Sequence, residues 1–413
     1  MGFVLVVLYI SIYIGLIATA FYALGYHSGK KKKKPLFTDE ELPKVTVIIP
    51  AYNEEESIGR TIESIIASEY PTGKLEILVV DDGSKDKTLE IAKKYESKIV
   101  KVYTKSNGGK GTALNYAIKK ATGEIIFSMD ADTFVPSHSV REMTRYFKNP
   151  EVMSVTPSML IHKPKGILQR IQQAEYLFGL FIRKAFVSVN AVHVTPGAFS
   201  AYRKTFFDKY GAYDEGNITE DLEMSLRIQY NGYTIEYSPE SPAYTIAPNK
   251  FKALMIQRRR WYAGLMKNTW KYKGIISPKY GDLGMFVIPI AWISIFLSVF
   301  VISYLIINIP INLKDELLFL IKINFDFASL FSVSKYTIER TIFHLLSNGI
   351  IIFVAFFAIV LRIYMKFATR KVGRVKGLSV AVTLYFISFA VLFGFWWIVS
   401  IFYVALNKKI KWR

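Results

Sequence analysis

The chain has 413 residues; 51% are apolar, 15% aromatic and none is cysteine, and the formal net charge is +20. The lack of cysteine excludes a disulfide framework, a thiolate metal site and a cysteine nucleophile. A mean hydropathy of +0.24 is unusual for a water-soluble protein. The basic residues gather beside apolar segments and do not alternate with exposed aromatics over a compact domain, which argues against a nucleic-acid partner.

In chain order, residues 3–25 form an uncharged apolar run, long enough to cross a bilayer core of about 30 Å at about 1.5 Å per residue. No basic stretch precedes it and no small-residue cleavage site follows, so a retained anchor over residues 1–29 is expected. Five lysines occupy positions 30–34. Further spans are expected at 284–309, 343–365 and 378–406, within a C-terminal membrane region covering 284–413. Lys366, Arg370, Lys371, Arg374 and Lys376 lie between the last two. The positive-inside rule then puts both basic clusters, and the polar block between the first two spans, in the cytoplasm of a multi-pass cell-membrane protein. Four spans leave the basic tail 408–413 on the outer side, against the rule; the first helix outweighs it. The charged and apolar mixture at 310–342 is expected to be an external loop.

The polar block, 35–250, alternates strands and helices. Residues 44–50, 75–80, 99–103 and 124–129 are short, β-branched runs that read as buried strands. Residues 57–67, 87–94 and 111–121 read as the helices between them. This alternation indicates a doubly wound, mainly parallel α/β sheet. Ligands of such sheets sit outside the carboxyl ends of the strands. Asp81-Asp82-Gly83-Ser84 and Asp130-Ala131-Asp132 both fall at those ends. Residues 166–186 carry apolar side chains at helical spacing, with Gln169, Gln172, Glu175 and Lys184 elsewhere; a helix on the membrane interface and one facing a core fit the pattern equally. A helix capped by Thr219 and stopped by Gly232 is expected next. A helix at 251–283 lies at the membrane interface and puts Gln257, Arg260 and Trp261 on one face, at i, i+3 and i+4. Arg258 and Arg259 are expected to point away, toward lipid head groups.

Asp130 and Asp132, two residues apart, can direct both carboxylates one way in extended backbone. Such hard oxygen ligands suit Mg²⁺ or Mn²⁺, with phosphate oxygens completing the shell. Asp221, in Thr219-Glu220-Asp221, can take a proton from a hydroxyl as general base. Asn107-Gly108-Gly109-Lys110-Gly111 has the flexibility to bring backbone N–H groups to phosphate, with Lys110 adding a point charge. The five histidines form no metal-ligand spacing, and His193 is expected to be structural.

Taken in order, Asp81-Asp82, Asp130-Ala131-Asp132, Thr219-Glu220-Asp221 and Gln257-Arg258-Arg259-Arg260-Trp261 resemble the "D, D, D, QxxRW" pattern of family 2 membrane glycosyltransferases, over residues 43–270. That family contains cellulose, chitin, hyaluronan and poly-N-acetylglucosamine synthases. The resemblance implies a GT-A fold and an inverting hexosyltransferase that uses a UDP-sugar. It implies a nucleotide site at Tyr52, Glu54, Asp82, Lys110 and Asp130, with Tyr52 stacking on the base, and a metal at Asp132 and Asp130. It gives Asp221 the role of base, with Glu220 beside it in the catalytic motif. Gln257, Arg260, Trp261 and the segment around Gly197, extending to Arg203, take the acceptor and diphosphate. A growing β-linked glycan is the implied acceptor. Single transfer to a membrane lipid is the alternative, since four spans are few for a polymer channel. A non-catalytic scaffold or transporter is the third class, disfavoured because the spans carry almost no ionisable residues.

Overall fold

The computed structural model describes residues 2–28, 37–325, 334–368, 378–408 and 410. The lysine run 30–34, the basic residues 370–376 and the tail at 409 and 411–413 lie outside these.

The polar block is built on a seven-stranded sheet of order β3-β2-β1-β4-β6-β5-β7. The strands are β1 (Val45–Ala51), β2 (Leu75–Asp81), β3 (Val100–Thr104), β4 (Ile125–Met129), β5 (Val152–Ile161), β6 (Phe199–Arg203) and β7 (Thr234–Thr245). β1 to β4 run parallel, as the alternation predicts. The sheet is mixed beyond them: β6 is antiparallel to β4 and β5, and β7 is parallel to β5. The last three strands are not evident in the sequence, because β5 and β7 carry Pro157, Pro239 and Pro242 and their ladder shifts register twice.

Helices cover both faces. α1 is Gly2–Ser28, α2 Ile58–Ile66, α3 Thr88–Lys93, α4 Lys110–Ile118 and α5 Ser139–Thr144. β1 shows why two layers are needed. Val45, Val47 and Ile49 pack with Ile58, Ile62 and Ile65 of α2, whereas Ile48 packs with Ala113, Leu114 and Ala117 of α4. The two-residue strand period sends alternate side chains to opposite faces, and both faces are dry.

α6 (Gly166–Ser188) corrects the simple amphipathic picture. Two of its polar residues are buried as well: Gln169 Nε2 donates to the Ala247 carbonyl at 2.7 Å and Gln172 Nε2 to that of Pro248 at 2.8 Å, whereas Lys184 is exposed. Ile167, placed on the apolar face by its spacing, is exposed. The helix is an internal beam. On one side it meets α1, where Tyr26 packs on Phe181 with centroids 5.1 Å apart; on another it supports the sheet.

α7 is Lys204–Tyr210, α8 Glu220–Tyr230, α9 Phe251–Lys271 and α10 Ile288–Lys322. α8 ends as expected: Gly232 has φ +80°, and the Tyr233 N–H closes onto the Ile228 carbonyl at 3.2 Å. Among the described residues two helices, Val6–His27 and Leu283–Lys322, are long and apolar enough to cross a membrane. The second passes through Pro310 without ending, so residues 310–322 are helix and not loop. A proline inside a long apolar helix removes one hydrogen bond, which such helices absorb. Lys335–Ser347, also in the expected loop, is helical too, and is followed by helices Gly349–Ala368 and Leu378–Ala405.

Candidate active site

The site forms where β1, β2 and β4 end and α8 begins. β4 delivers Asp130, whose N–H donates to the Ala198 carbonyl at 2.9 Å. The following turn is pinned from the other side: Thr61 Oγ1 of α2 donates to the Ala131 carbonyl at 2.7 Å. α4 begins at Lys110, which is largely buried and points into the centre. Its Nζ lies 2.5 Å from Asp130 Oδ1 and 3.2 Å from Glu220 Oε1, and it donates to the Gly197 carbonyl at 3.2 Å. Burial by itself would lower the Lys110 pKa; the charges of Asp130, Glu220 and Asp221 outweigh it and hold the ammonium above its ordinary range.

Asp221 is fixed by backbone donors. Oδ2 accepts from the Gly197 N–H at 2.8 Å and Oδ1 from the Leu222 N–H at 2.8 Å. A Cβ at 197 would stand 2.8 Å from Asp221 Oδ2 and 2.9 Å from Lys110 Nζ and would displace both side chains. Glu220 is 2% exposed, and its Oε2 has no hydrogen-bond partner. Burial raises its pKa, Lys110 and Arg260 oppose the rise, and Asp221 adds to it. The acidic residues at 220 and 221 also sit in the first turn of α8, where the helix N-terminus favours negative charge.

Thr219 occupies the capping position of α8, but its side chain makes no cap bond. Its Oγ1 instead accepts from Asn268 Nδ2 of α9 at 3.0 Å. Asn268 Nδ2 and Asn217 Oδ1 are a further 3.1 Å apart, and a Cβ on Gly264 would come within 2.1 Å of Thr219 Oγ1. α9 therefore lies directly on the turn carrying the general-base candidate. Arg260 Nη1 donates to the Ile218 carbonyl at 3.2 Å. Asn217, Gly264 and Asn268 support the turn that carries Asp221 and are not marked by the motifs, although 257, 260, 264 and 268 repeat at helical spacing along one face.

Two expectations are corrected at the glycine-rich loop and at Arg203. The N–H groups of Gly108 and Gly109 donate to Asp82, at 3.1 Å to Oδ1 and 2.7 Å to Oδ2, and Lys105 Nζ adds a 2.7 Å ion pair. These amides order the Asp82 carboxylate and are not directed at phosphate. Arg203 donates to the carbonyls of Phe147, Asn149 and Val152. It lies opposite Ile125, at the start of β4, and so at the far end of the strand from Asp130; its role is structural. His193 is structural too, its Nδ1 3.1 Å from the Ala191 carbonyl.

Tyr52 is 37% exposed at the rim beyond β1. Beside it Glu54 is held by its N–H bond to Thr88 Oγ1 at 2.7 Å and accepts from Ser57 Oγ at 3.0 Å. Asp132 is pushed up to about 7 by burial and then by the negative charges of Asp130 and Glu54. Carboxylates crowded enough to hold a proton near neutrality suit a hard divalent cation. Among the described residues no three His, Cys, Asp or Glu side chains form a complete cage. Asp130 and Asp132 are hard oxygen donors of the kind that Mg²⁺ and Mn²⁺ take together with phosphate oxygens and water.

Gln257 is half-buried with Oε1 unpaired, and Trp261 is half-buried beside it. Arg258 does not reach toward lipid head groups. Arg258 is 1% exposed and pairs with Glu175 Oε2 at 2.7 Å, and Arg259 lies over the Tyr403 ring at 4.2 Å.

Residues 46–211 match the family model "Glycosyl transferase family 2". The chain is 33% identical over 237 residues to poly-β-1,6-N-acetyl-D-glucosamine synthase of Staphylococcus aureus, an alignment of 56% of this chain and 57% of that protein. It is 31% identical over 242 residues to the synthase of the same name from Staphylococcus epidermidis, covering 56% and 58%. The chain thus spans little more than half the length of the curated relatives it matches. The fold also resembles that of a mannosyltransferase from Pyrobaculum calidifontis solved with GDP-mannose and Mn²⁺: TM-score 0.57 at 18% identity, over 98% of this chain and 100% of that one.

Gly264→Ala forces Thr219 from its bond to Asn268 and shifts the turn that carries Asp221. We expect turnover to fall by about 10²-fold through misplacement, with nucleotide affinity retained; turnover measured beside nucleotide titration checks this. A second outcome follows from Asp132. Its raised pKa means that the metal-free native state binds more protons than the unfolded chain between roughly pH 4 and pH 7. Stability in EDTA should fall as pH rises through that window, and Asp132→Asn should flatten the fall. Melting temperatures from pH 5 to pH 8 test it.

Proposed function

We propose that this chain, whose residues 46–211 are a family 2 glycosyl transferase domain, is an inverting hexosyltransferase that extends a β-linked glycan from a UDP-sugar. The observation that carries the reading is the convergence beside the carboxyl end of β4 of Asp130 and Glu220, both within ion-pair reach of Lys110, with the charge of Asp221 acting on the same ammonium from farther off. Its agreement with the poly-N-acetylglucosamine synthases over the same region supports N-acetylglucosamine as the sugar.

Tyr52 and Asp82 hold the base and ribose, Asp82 preset by the loop amides of Gly108 and Gly109. Asp132, with Asp130, holds Mg²⁺ or Mn²⁺, which when bound supplies Lewis-acid neutralisation of the leaving diphosphate. Arg260 adds a fixed positive charge. An acceptor hydroxyl loses its proton to Asp221, its oxygen bonds to the anomeric carbon, and the bond to the diphosphate breaks with the electron pair leaving on UDP. The two N–H bonds to Asp221 keep the carboxylate in one orientation before substrate arrives, which reduces reorganisation at the moment of transfer. Lys110 opposes the rise that burial gives the Glu220 carboxyl. Gln257 and Trp261 receive the acceptor sugar, Trp261 by stacking.

We place the domain on the cytoplasmic face of the cell membrane, anchored by Val6–His27 and Leu283–Lys322, with further C-terminal spans. A second reading is single transfer to a membrane lipid. The whole-length likeness to a mannosyltransferase favours including GDP-mannose among the donors tested.

Purified full-length chain incubated with UDP-N-acetylglucosamine, other UDP-sugars and GDP-mannose should yield a polymer from the first. A product one sugar longer than a lipid acceptor replaces the polymer reading with the second. Asp221→Asn should reduce transfer by about 10²–10⁴-fold with nucleotide binding intact, and excess EDTA should stop the wild type; turnover unaffected by both excludes this chemistry. Trp261→Ala should shorten the product with little change in donor affinity, read by mass spectrometry.

A further inference from the structure

α9 has two working faces. Arg260, Gly264 and Asn268 lie against the Ile218–Thr219 turn. Arg258, Arg259 and Tyr262 meet the C-terminal helix Leu378–Ala405, where Tyr262 stacks on Trp397 with centroids 4.6 Å apart and planes 8° apart. Arg258 joins the faces. Its guanidinium carbon stands 4.2 Å from the Trp261 ring centroid and 5.9 Å from that of Trp396. Its Nη2 donates to Glu175 Oε2 of α6 at 2.7 Å, and its Nε has no hydrogen-bond partner.

This is a poor arrangement for stability alone. A buried ion pair with an unsatisfied donor seldom outperforms apolar residues of the same volume. What the arginine does uniquely is lay a flat, tethered cation on an indole face, which neither a lysine nor an aliphatic side chain reproduces. The tether has three ends: α6 through Glu175, the C-terminal helix through Trp396, and the QxxRW ring through Trp261.

We propose that Glu175, Arg258 and Trp396 form a strut that orients Trp261, making Arg258 a positioning residue for the acceptor side of the site and referencing that ring to the C-terminal helix. The inference rests on the reading of Trp261 as the acceptor-facing ring. The strut holds Trp261 at a fixed angle while the donor half, built on β1, β2 and α4, is untouched by it. Its loss should therefore separate the two halves of the reaction.

The test compares full-length wild type with Arg258→Lys and with the double variant Glu175→Gln/Arg258→Met, which removes both charges and strands neither. Melting temperature, UDP-sugar Kd, acceptor KM and product length are measured for each. Acrylamide quenching of Trp261 is measured by difference, with and without Trp261→Phe. Both variants should keep donor Kd within about twofold, raise acceptor KM by about tenfold, shorten the product and expose Trp261 to quencher. Wild-type acceptor KM and product length in Arg258→Lys overturn the proposal, whatever the quenching. So does a double variant whose acceptor handling recovers along with its melting temperature, as a merely structural pair would allow. If wild type transfers no sugar at all, the proposed function fails; quenching then decides the strut, because it needs no turnover.

Discussion

One buried cation organises this site. The Lys110 ammonium stands among Asp130, Glu220 and the more distant charge of Asp221. Three acids drawn from β4 and α8 could not be packed so closely without it, because like charges in a poorly hydrated space repel strongly. Lys110 begins α4, directly after a glycine loop whose own amides are engaged by Asp82. The Asp82 region and the acidic cluster around Lys110 are therefore coupled through one short segment: whatever orders Gly108 and Gly109 also aims Lys110.

The second constraint is steric. α9 approaches the Thr219 turn so closely that position 264 has no room for a methyl group. The general-base candidate is thus backed by a rigid helix and not by a loop, and Asn268 takes over the hydroxyl that would otherwise cap α8. On its other side α9 rests on the C-terminal helix. The catalytic motif and the membrane-grade segments share this single element as their common wall, so their relative position is set by side-chain packing across α9 and α6.

Burial reassigns several polar residues. Gln169, Gln172, Glu175 and Arg258 look like surface residues in a helical pattern, yet each is used inside: the glutamines on the carbonyls of Ala247 and Pro248, the ion pair between α6 and α9. Periodicity marks which residues share a face. It does not mark whether a second protein layer or solvent covers that face.

Much was nevertheless legible from the chain alone. The four parallel strands, the helices between them and the placement of two acidic motifs at strand ends follow from local pattern, since β-branched runs and strand-end turns carry their own signature. The four motifs in order carry the resemblance to family 2 glycosyltransferases, and the family model matches residues 46–211. Tertiary structure alone decided the rest. β5 and β7 exist because each strand accepts the other's proline-bearing, irregular segment, and the five-residue β6 is fixed by its antiparallel pairing to β4 and β5. The glycine loop serves Asp82 because β2 ends beside it, and Arg203 lies far from the chemistry because β6 runs antiparallel. Gly264 and Arg258 gain their roles from partners 45 and 83 positions away in sequence, a separation at which local propensity carries no information and only packing can choose.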